Sequence, residues 1–138
     1  TVADDATPGQ RQALRDAVAL WRAVGVASAE AAETSGPRRS EPQPTVQPLP
    51  VEFRKAAANF FGYYDGQRGH ILLNSGLVDA QSRAITLAHE LGHAWGLPHV
   101  PATEHASVMN PANLSLPPQP ADAKAVWALV GGHCQVRR

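Results

Sequence analysis

The chain has 138 residues, of which 43% are hydrophobic, and its 12 Lys and Arg residues balance 12 Asp and Glu residues. This length suits one domain with a single core and is too short for two ordinary domains. Without a net charge the chain has no field to hold a polyanion, which makes nucleic acid a poor candidate partner. No segment approaches the roughly 18 consecutive apolar residues of a membrane span, and the single Cys134 cannot form an internal disulfide.

The N-terminal third predicts one amphipathic helix followed by a loop. Thr7 and Pro8 are typical N-cap and first helical residues, and apolar residues then recur at helical spacing as far as Gly25, which supplies the stop. The Ala-rich segment 26–33 could extend as helix. Five prolines between positions 37 and 50 exclude regular structure and predict a surface loop.

The next segment predicts β-structure. Val51 to Lys55 alternates apolar and polar side chains, which suits a short strand. An aromatic-rich segment at 59–65 and the sequence HILLN at 70–74 flank the turn sequence GQRG, which predicts a hairpin.

Two further helices are predicted in the second half of the chain. Asp79 is a candidate N-cap for a helix over about 80–95 that is apolar on two faces and therefore buried. A Pro-rich irregular segment follows, and a closing helix is predicted from Pro120 to Val130, with its stop at Gly131 and Gly132.

Residues 89–99 read HELGHAWGLPH. His89 and His93 are four residues apart, so on a helix their side chains project from one face, one turn apart. This spacing suits two imidazoles that bind one tetrahedral Zn²⁺. Gly96 marks the helix end, where positive φ is often needed, and His99 beyond it can return as the third ligand. Three nitrogen ligands and one open position are typical of a catalytic zinc site rather than a closed structural one.

Glu90 follows the first histidine and lies about 100° around the helix from it. From there it can hydrogen-bond a metal-bound water without being a ligand itself. The alternative is that these histidines are scattered on a buried helix, but so many fixed residues rarely coincide by chance in a chain with six histidines. Glu104 is an alternative third ligand, on an irregular segment with no second helix to present it, and His105 and His133 are interpreted as surface residues.

The lone methionine, Met109, lies ten residues after His99 in the segment SVMNP. A methionine commonly fills a gap in a core, and under three imidazoles it would form an apolar floor. An extended HExxHxxGxxH motif followed by such a methionine turn is the metzincin signature. The segment from Ile85 to Pro111 therefore resembles the metzincin zinc peptidases. LAHELGHAWGLPH looks most like the matrixin version of the motif, whereas the short chain resembles the compact snapalysins, in which an Asp is expected in place of His99.

The resemblance implies an α+β fold, with a small, mostly antiparallel or mixed twisted sheet packed on a backing helix and an active-site helix. It implies one catalytic domain over 1–138. Residues 1–96 would form an upper subdomain with the active-site helix, and residues 97–138 a lower, irregular subdomain with the methionine turn and a closing helix. The strand that usually precedes the first helix would have to lie within Thr1–Ala6, which is too short.

By the same resemblance, His89, His93 and His99 are the zinc ligands, Glu90 is the general base and acid, and Met109 is the methionine-turn residue. The implied activity is that of a zinc metalloendopeptidase. Zinc lowers the pKa of its bound water to about 7, and Glu90 takes the proton of this water and delivers it to the leaving amine. Pro111 occupies the position where astacins and serralysins carry a tyrosine, so no tyrosine switch is available.

The resemblance also implies a protein or peptide substrate that lies extended along an edge strand above the zinc. That strand would be HILLN. The segment after Met109 would form the wall of the pocket beyond the cleaved bond, and Ile85 would line the base of this pocket, which would favour an apolar substrate side chain. The predicted substrate-binding residues are His70, Ile71, Leu72, Leu73, Ile85, Pro111, Ala112 and Asn113. A solvent-facing strand histidine is the more ordinary interpretation of His70.

Two other functions stay open from the sequence. One is a zinc-binding recognition module without peptidase activity, against which the presence of Glu90 argues. The other is a zinc hydrolase of a non-peptide amide, for which the sequence has no dedicated small-ligand motif. We expect a monomer, and a secreted one, because the chain begins without an initiator Met and metzincins are commonly exported. A structural Ca²⁺ stays open but unsupported: Asp65 and Asp79 are conceivable ligands, although isolated aspartates usually serve turns and caps.

Overall fold

A computed structural model of the chain describes residues 7–26, 50–56 and 61–135. The described elements are three helices and three strands, in the order α1 (Pro8–Ala23), β1 (Val51–Arg54), β2 (Gly62–Asp65), β3 (His70–Asn74), α2 (Ala80–Ala94) and α3 (Pro120–Gln135). This architecture of helices around a small mixed sheet confirms the predicted α+β class. Residues 1–6, judged too short for the family's N-terminal strand, lie outside the described residues, as do most of the Ala-rich segment, most of the Pro-rich loop and the start of the aromatic-rich segment.

Helix α1 begins and ends at the residues that the sequence predicts. The Thr7 hydroxyl accepts the backbone N–H of Gln10, and the Gln10 side chain accepts the backbone N–H of Thr7, which completes a capping box. At the other end Gly25 has a φ of 99°, and the N–H of Val26 donates to the carbonyl of Trp21 at 3.0 Å. This is a Schellman motif, which needs a residue with positive φ at the position of Gly25.

The strands form a mixed sheet in the order β1-β3-β2. Strands β2 and β3 pair antiparallel as the predicted hairpin, and β1 pairs parallel to β3. The Asp65 carboxylate accepts the backbone N–H groups of Gln67 and Arg68, so Asp65 is a turn residue, as interpreted from the sequence.

Strand β3 is the central strand of this sheet, so the prediction that His70–Asn74 is an edge strand is wrong. Ile71 and Leu73 are fully buried, as expected of a strand that is paired on both sides and covered by a helix. The segment with the fewest aliphatic side chains, GYYD, takes an edge of the sheet that the described residues form, as β2. The pairing of β1 with β3 is a long-range contact that the local pattern could not reveal.

Helix α2 lies in the middle of the core and packs against α1. Trp21 of α1 is fully buried, and its indole N–H donates to the carbonyl of Ala88 at 2.9 Å. Its ring also meets Trp95 edge-on, with ring centroids 5.1 Å apart. The buried stretch from Ala84 to Gly92 confirms that α2 is enclosed on more than one face.

Helix α3 is longer than predicted. It runs from Pro120 to Gln135 and passes through Gly131 and Gly132, where the sequence predicted its stop. Glycine within a helix costs only about 1 kcal/mol relative to alanine, so two glycines weaken a helix without necessarily ending it. No helix among the described residues is long and apolar enough to cross a membrane.

Candidate metal centre

Three histidine side chains converge beyond the C-terminal half of α2. His89 and His93 project from one face of the helix, and His99 comes from the loop that follows. One potential ligand atom from each of the three lies within 4.8 Å of the others. The ring centroids are 4.7 to 5.2 Å apart. The structure therefore brings together the three residues that the sequence predicts as metal ligands.

The turn after α2 brings His99 back to the helix. Gly96 has a φ of 104°, and the N–H of Leu97 donates to the carbonyl of Gly92 at 2.9 Å. This is the same Schellman motif that ends α1. It reverses the chain within one turn of His93. At the opposite end, the Asp79 side chain accepts the N–H of Ser82 as the predicted N-cap.

Backbone carbonyls orient two of the three imidazoles. His89 Nδ1 lies 2.7 Å from the carbonyl oxygen of Val108, and His93 Nδ1 lies 2.8 Å from that of Leu97. A carbonyl can only accept, so Nδ1 carries the proton in both rings and Nε2 presents its lone pair. Metal-bound histidines are typically held in this way. The chemistry of this donor set therefore fits a Zn²⁺ ion.

Burial favours the neutral, metal-binding form of the two helical histidines. It lowers the pKa of His89 to about 4, with further lowering from the neighbouring imidazoles of His93 and His99. The pKa of His93 is lowered as well, again mainly by burial. A histidine binds a metal only when it is deprotonated, so these two rings need not lose a proton near neutral pH.

Glu90 lies beside the histidines and is almost fully buried. Burial raises the pKa of this carboxyl to about 7, and a smaller opposing effect comes from a hydrogen bond with the backbone of Tyr64 on β2. A carboxyl with a pKa near the working pH is suited to move a proton in either direction. The structure thus places the predicted general base next to the metal-ligand cluster.

Met109 packs against α2 directly beside the histidine pair. It is 1% exposed, and a Cβ atom on Gly92 would lie 2.5 Å from its sulfur. The methionine sulfur therefore occupies space that a side chain at position 92 would need. The sequence predicted the packing role of Met109 but not its dependence on Gly92, although this glycine immediately precedes His93.

The segment around Met109 is held by Asp122 from α3. The Asp122 carboxylate accepts the Ser107 hydroxyl at 2.5 Å and the Val108 N–H at 2.9 Å. The Ser107 hydroxyl in turn accepts the N–H of Met109 at 2.8 Å. Sequence reasoning missed Asp122. The available signal was an acidic residue in the first turn of the closing helix, where such a side chain can accept free N–H groups.

An open cleft of about 250 Å³ lies beside the histidine cluster. The lining residues come from β2, α2 and the segment after Met109: Phe61, Gly62, Thr86, His89, Glu90, His99, Ala112 and Asn113. Of the predicted substrate-binding residues, Ala112 and Asn113 line this cleft. Pro111 and the β3 residues His70, Ile71, Leu72 and Leu73 are not among its lining residues.

Ile85, predicted for the base of the pocket, does not line this cleft. It is buried in the core and lines a separate groove between α1 and α2. At about 100° per residue, Glu90 lies to one side of His89 and Ile85 to the other. Thr86 falls on the Glu90 side, about 60° from His89, and therefore faces the cleft.

Glu104 and His105 are exposed, and neither belongs to the ligand cluster that the described residues form. The side chain of His133 lies outside the described residues. Asp79 caps a helix and Asp65 serves a turn, as interpreted from the sequence.

The sequence model of the peptidase M66 family matches residues 13–114, from α1 through the metal-ligand cluster to the cleft wall. The chain belongs to the peptidase M66 family. This is a family of zinc metallopeptidases, and the three-histidine cluster agrees with that chemistry. Among curated proteins nothing matches this M66 family member.

Proposed function

We propose that this M66 family member is a metzincin-like zinc endopeptidase. The observation that carries the proposal is the convergence of His89, His93 and His99 beside Glu90 in an open cleft. The methionine turn that packs against α2, with Met109 on Gly92, supports the narrower metzincin assignment.

The three histidines would hold the metal through nitrogen atoms, two of them through Nε2. Three protein nitrogens with one side open toward a cleft are the donor set of a catalytic zinc site. A bound Zn²⁺ would supply Lewis acidity, which activates water and polarises a substrate carbonyl. The carbonyl groups of Val108 and Leu97 keep two of the imidazoles in the orientation that such binding requires.

Glu90 would move the proton. Its carboxylate would accept a proton from the attacking water and release it to the nitrogen of the leaving amine. Burial, which raises the pKa of this carboxyl to about 7, suits both halves of the transfer.

The substrate backbone would lie along β2 rather than β3. The N–H of Ile71 donates toward β1, to Pro50, so Tyr64, its partner across the hairpin, turns its N–H and C=O away from β3. Gly62, two residues earlier, faces outward in the same way and lines the cleft. An extended peptide could add to this outer side of β2 by strand addition.

The proposal is tested by offering a sequence-diverse library of quenched peptides to the zinc-loaded wild type and to Glu90→Gln, with the products identified by mass spectrometry. We expect the wild type to cleave internal peptide bonds and Glu90→Gln to lose about 10²- to 10⁴-fold in kcat/KM while still binding zinc. Glu104→Gln is the matched control, because Glu104 is an exposed glutamate outside the cluster. If the wild type binds one zinc per chain and cleaves no peptide, the endopeptidase proposal is wrong, and a recognition module or a non-peptide amidase takes its place.

A further inference from the structure

The segment that walls the cleft after Met109 is closed by one asparagine. Asn113 Nδ2 donates to the carbonyl of Val108 at 3.3 Å and to that of Leu116 at 2.7 Å. Its Oδ1 accepts the backbone N–H groups of Ser115 and Leu116 at 3.0 and 2.8 Å. Because the amide oxygen takes two N–H groups, the amide nitrogen is the atom that faces the two carbonyls. We call residues 108–116 the wall turn.

The wall turn contains a residue in an unfavourable backbone conformation. Ala112 has a φ of 57°, and among the described residues it is the only one other than glycine with a positive φ. A residue with a Cβ atom keeps this conformation only where the surrounding structure holds it. The next residue, Asn113, supplies the hydrogen bonds that close the turn, and both residues line the cleft. The shape of the cleft wall therefore depends on the Asn113 side chain.

The same bonds reach the metal centre. The Val108 carbonyl that accepts Asn113 Nδ2 also accepts the Nδ1 proton of His89, with 2.7 Å between nitrogen and oxygen. A carbonyl oxygen has two lone pairs, so it can take both donors at once. His93 instead bonds the carbonyl of Leu97, in the turn that follows α2. One oxygen atom thus joins the wall turn to His89, whereas His93 is held from outside the wall turn.

We propose that Asn113 is a positioning residue that links the cleft wall to the metal ligand His89. It fixes the Val108 carbonyl, which in turn holds the imidazole with Nε2 available to a metal. Coupling of this kind is reciprocal, so a metal ion that fixes His89 also tightens the wall turn. The link acts on metal binding and on the shape of the cleft, and neither depends on the proposed peptidase activity.

The first test compares the zinc affinities of Asn113→Ala and Asn74→Ala by competition with a chromophoric chelator. Asn74 is the matched control, because its side chain likewise bonds backbone groups, those of Ala56 and Gly76, which do not line the cleft. We expect zinc affinity to fall about 10-fold in Asn113→Ala and to stay within about two-fold in Asn74→Ala, since only the first loses a support of a metal ligand. Equal affinities overturn the proposal.

A second variant separates the two halves of the Asn113 side chain. Asn113→Asp keeps an oxygen for the two N–H partners but, when ionised at neutral pH, cannot donate to Val108. In the zinc-loaded variant the Nδ1 proton of His89, followed by NMR, should exchange with solvent faster than in the wild type. The Nδ1 proton of His93 is the internal control and should exchange at its wild-type rate. Unchanged exchange at His89 overturns the proposal, as does an equal acceleration at both rings, which would indicate a general loosening.

The reverse direction needs only the wild type. Zinc loading should slow the exchange of the Leu116 amide, which Asn113 Oδ1 accepts. The control is the Gly76 amide, which donates to Asn74 Oδ1 at a similar 2.9 Å and should slow less. Equal slowing of the two amides overturns the proposal even if neither Asn113 variant folds. A wild type that binds zinc and cleaves no peptide removes the proposed function, but these exchange rates still decide whether Asn113 links the wall turn to His89.

Discussion

The two helical histidines are oriented by different kinds of structure. The Nδ1 partner of His93 is the carbonyl of Leu97, four residues further along the chain and fixed by the Schellman turn at Gly96. The Nδ1 partner of His89 is the carbonyl of Val108, 19 residues away. That carbonyl belongs to a segment that Asp122 holds from a third element.

Within one metal centre, His93 therefore has a local support and His89 has a long-range support. The local support is built from a turn that a glycine makes possible. The long-range support needs α3 to be docked, because the Asp122 carboxylate belongs to that helix. We therefore expect the arrangement at His93 to survive disturbances of α3 that loosen His89.

Asp122→Ala should have the largest effect, because it leaves the Val108 N–H and the Ser107 hydroxyl buried without their acceptor. We expect the free energy of unfolding of the metal-free protein to fall by about 3 kcal/mol. Zinc affinity should fall by about 10- to 100-fold, the usual effect of losing a support of a metal ligand. Urea unfolding and competition with a chromophoric chelator measure the two quantities.

The control for Asp122→Ala is Asp79→Ala, which removes the N-cap at the far end of α2. It should cost about 1 kcal/mol without weakening zinc binding. Equal zinc affinities for the two variants would mean that the long-range support does not act on His89.

Gly96→Ala should disturb the local support to a smaller extent. A side chain at a φ of 104° is strained, and we expect a loss of about 1 to 2 kcal/mol in the free energy of unfolding. Gly25→Ala is the matched control, since Gly25 ends α1 in the same motif at a φ of 99°. Calorimetry should show similar losses, while chelator competition should show weaker zinc binding for Gly96→Ala alone. Equal zinc binding by the two variants would show that the turn at Gly96 does not support His93.

Ser107→Ala tests one part of the long-range support of His89. It removes one of the bonds that Asp122 accepts and the acceptor of the Met109 N–H. The bond between Asp122 and the Val108 N–H stays. We expect a loss of about 1 kcal/mol and a smaller change in zinc affinity than in Asp122→Ala. In a double-mutant cycle the two losses should not add, because the residues share one network. If the two losses in unfolding free energy simply add, Ser107 and Asp122 do not act as one network.

Thr86→Val should have the smallest effect and the opposite sign. The Thr86 hydroxyl is buried and has no hydrogen-bond partner, so unlike the two supports it stabilises nothing. Replacing it with a methyl group of similar shape should raise the free energy of unfolding by about 1 kcal/mol. A lower stability in urea unfolding would show that this hydroxyl has a partner after all.

The sequence predicted those parts of the centre that depend on local geometry. The spacing of His89 and His93, the turn at Gly96 and the cap at Asp79 all follow from positions a few residues apart on one helix. The hairpin was predictable for the same reason, since its turn lies between the two strands that it joins.

The parts that depend on distant pairings were not predictable. The order of strands places β2 rather than β3 at the edge, because β1 pairs with β3 across a long segment. The choice of Thr86 over Ile85 as a cleft residue depends on the side of α2 that β2 occupies. The role of Asp122 depends on where α3 docks, which no local pattern specifies.

Buried Trp21 and partly buried Trp95 give the protein an internal optical reporter. Trp21 and Trp95 meet edge-on, and the Trp21 indole is bonded to Ala88, one residue before His89. Two indoles fixed at this distance should couple electronically and produce a near-ultraviolet circular dichroism signal of their own. That signal exists only while α1 lies against α2, so its intensity reports the integrity of the metal-bearing helix without any added label.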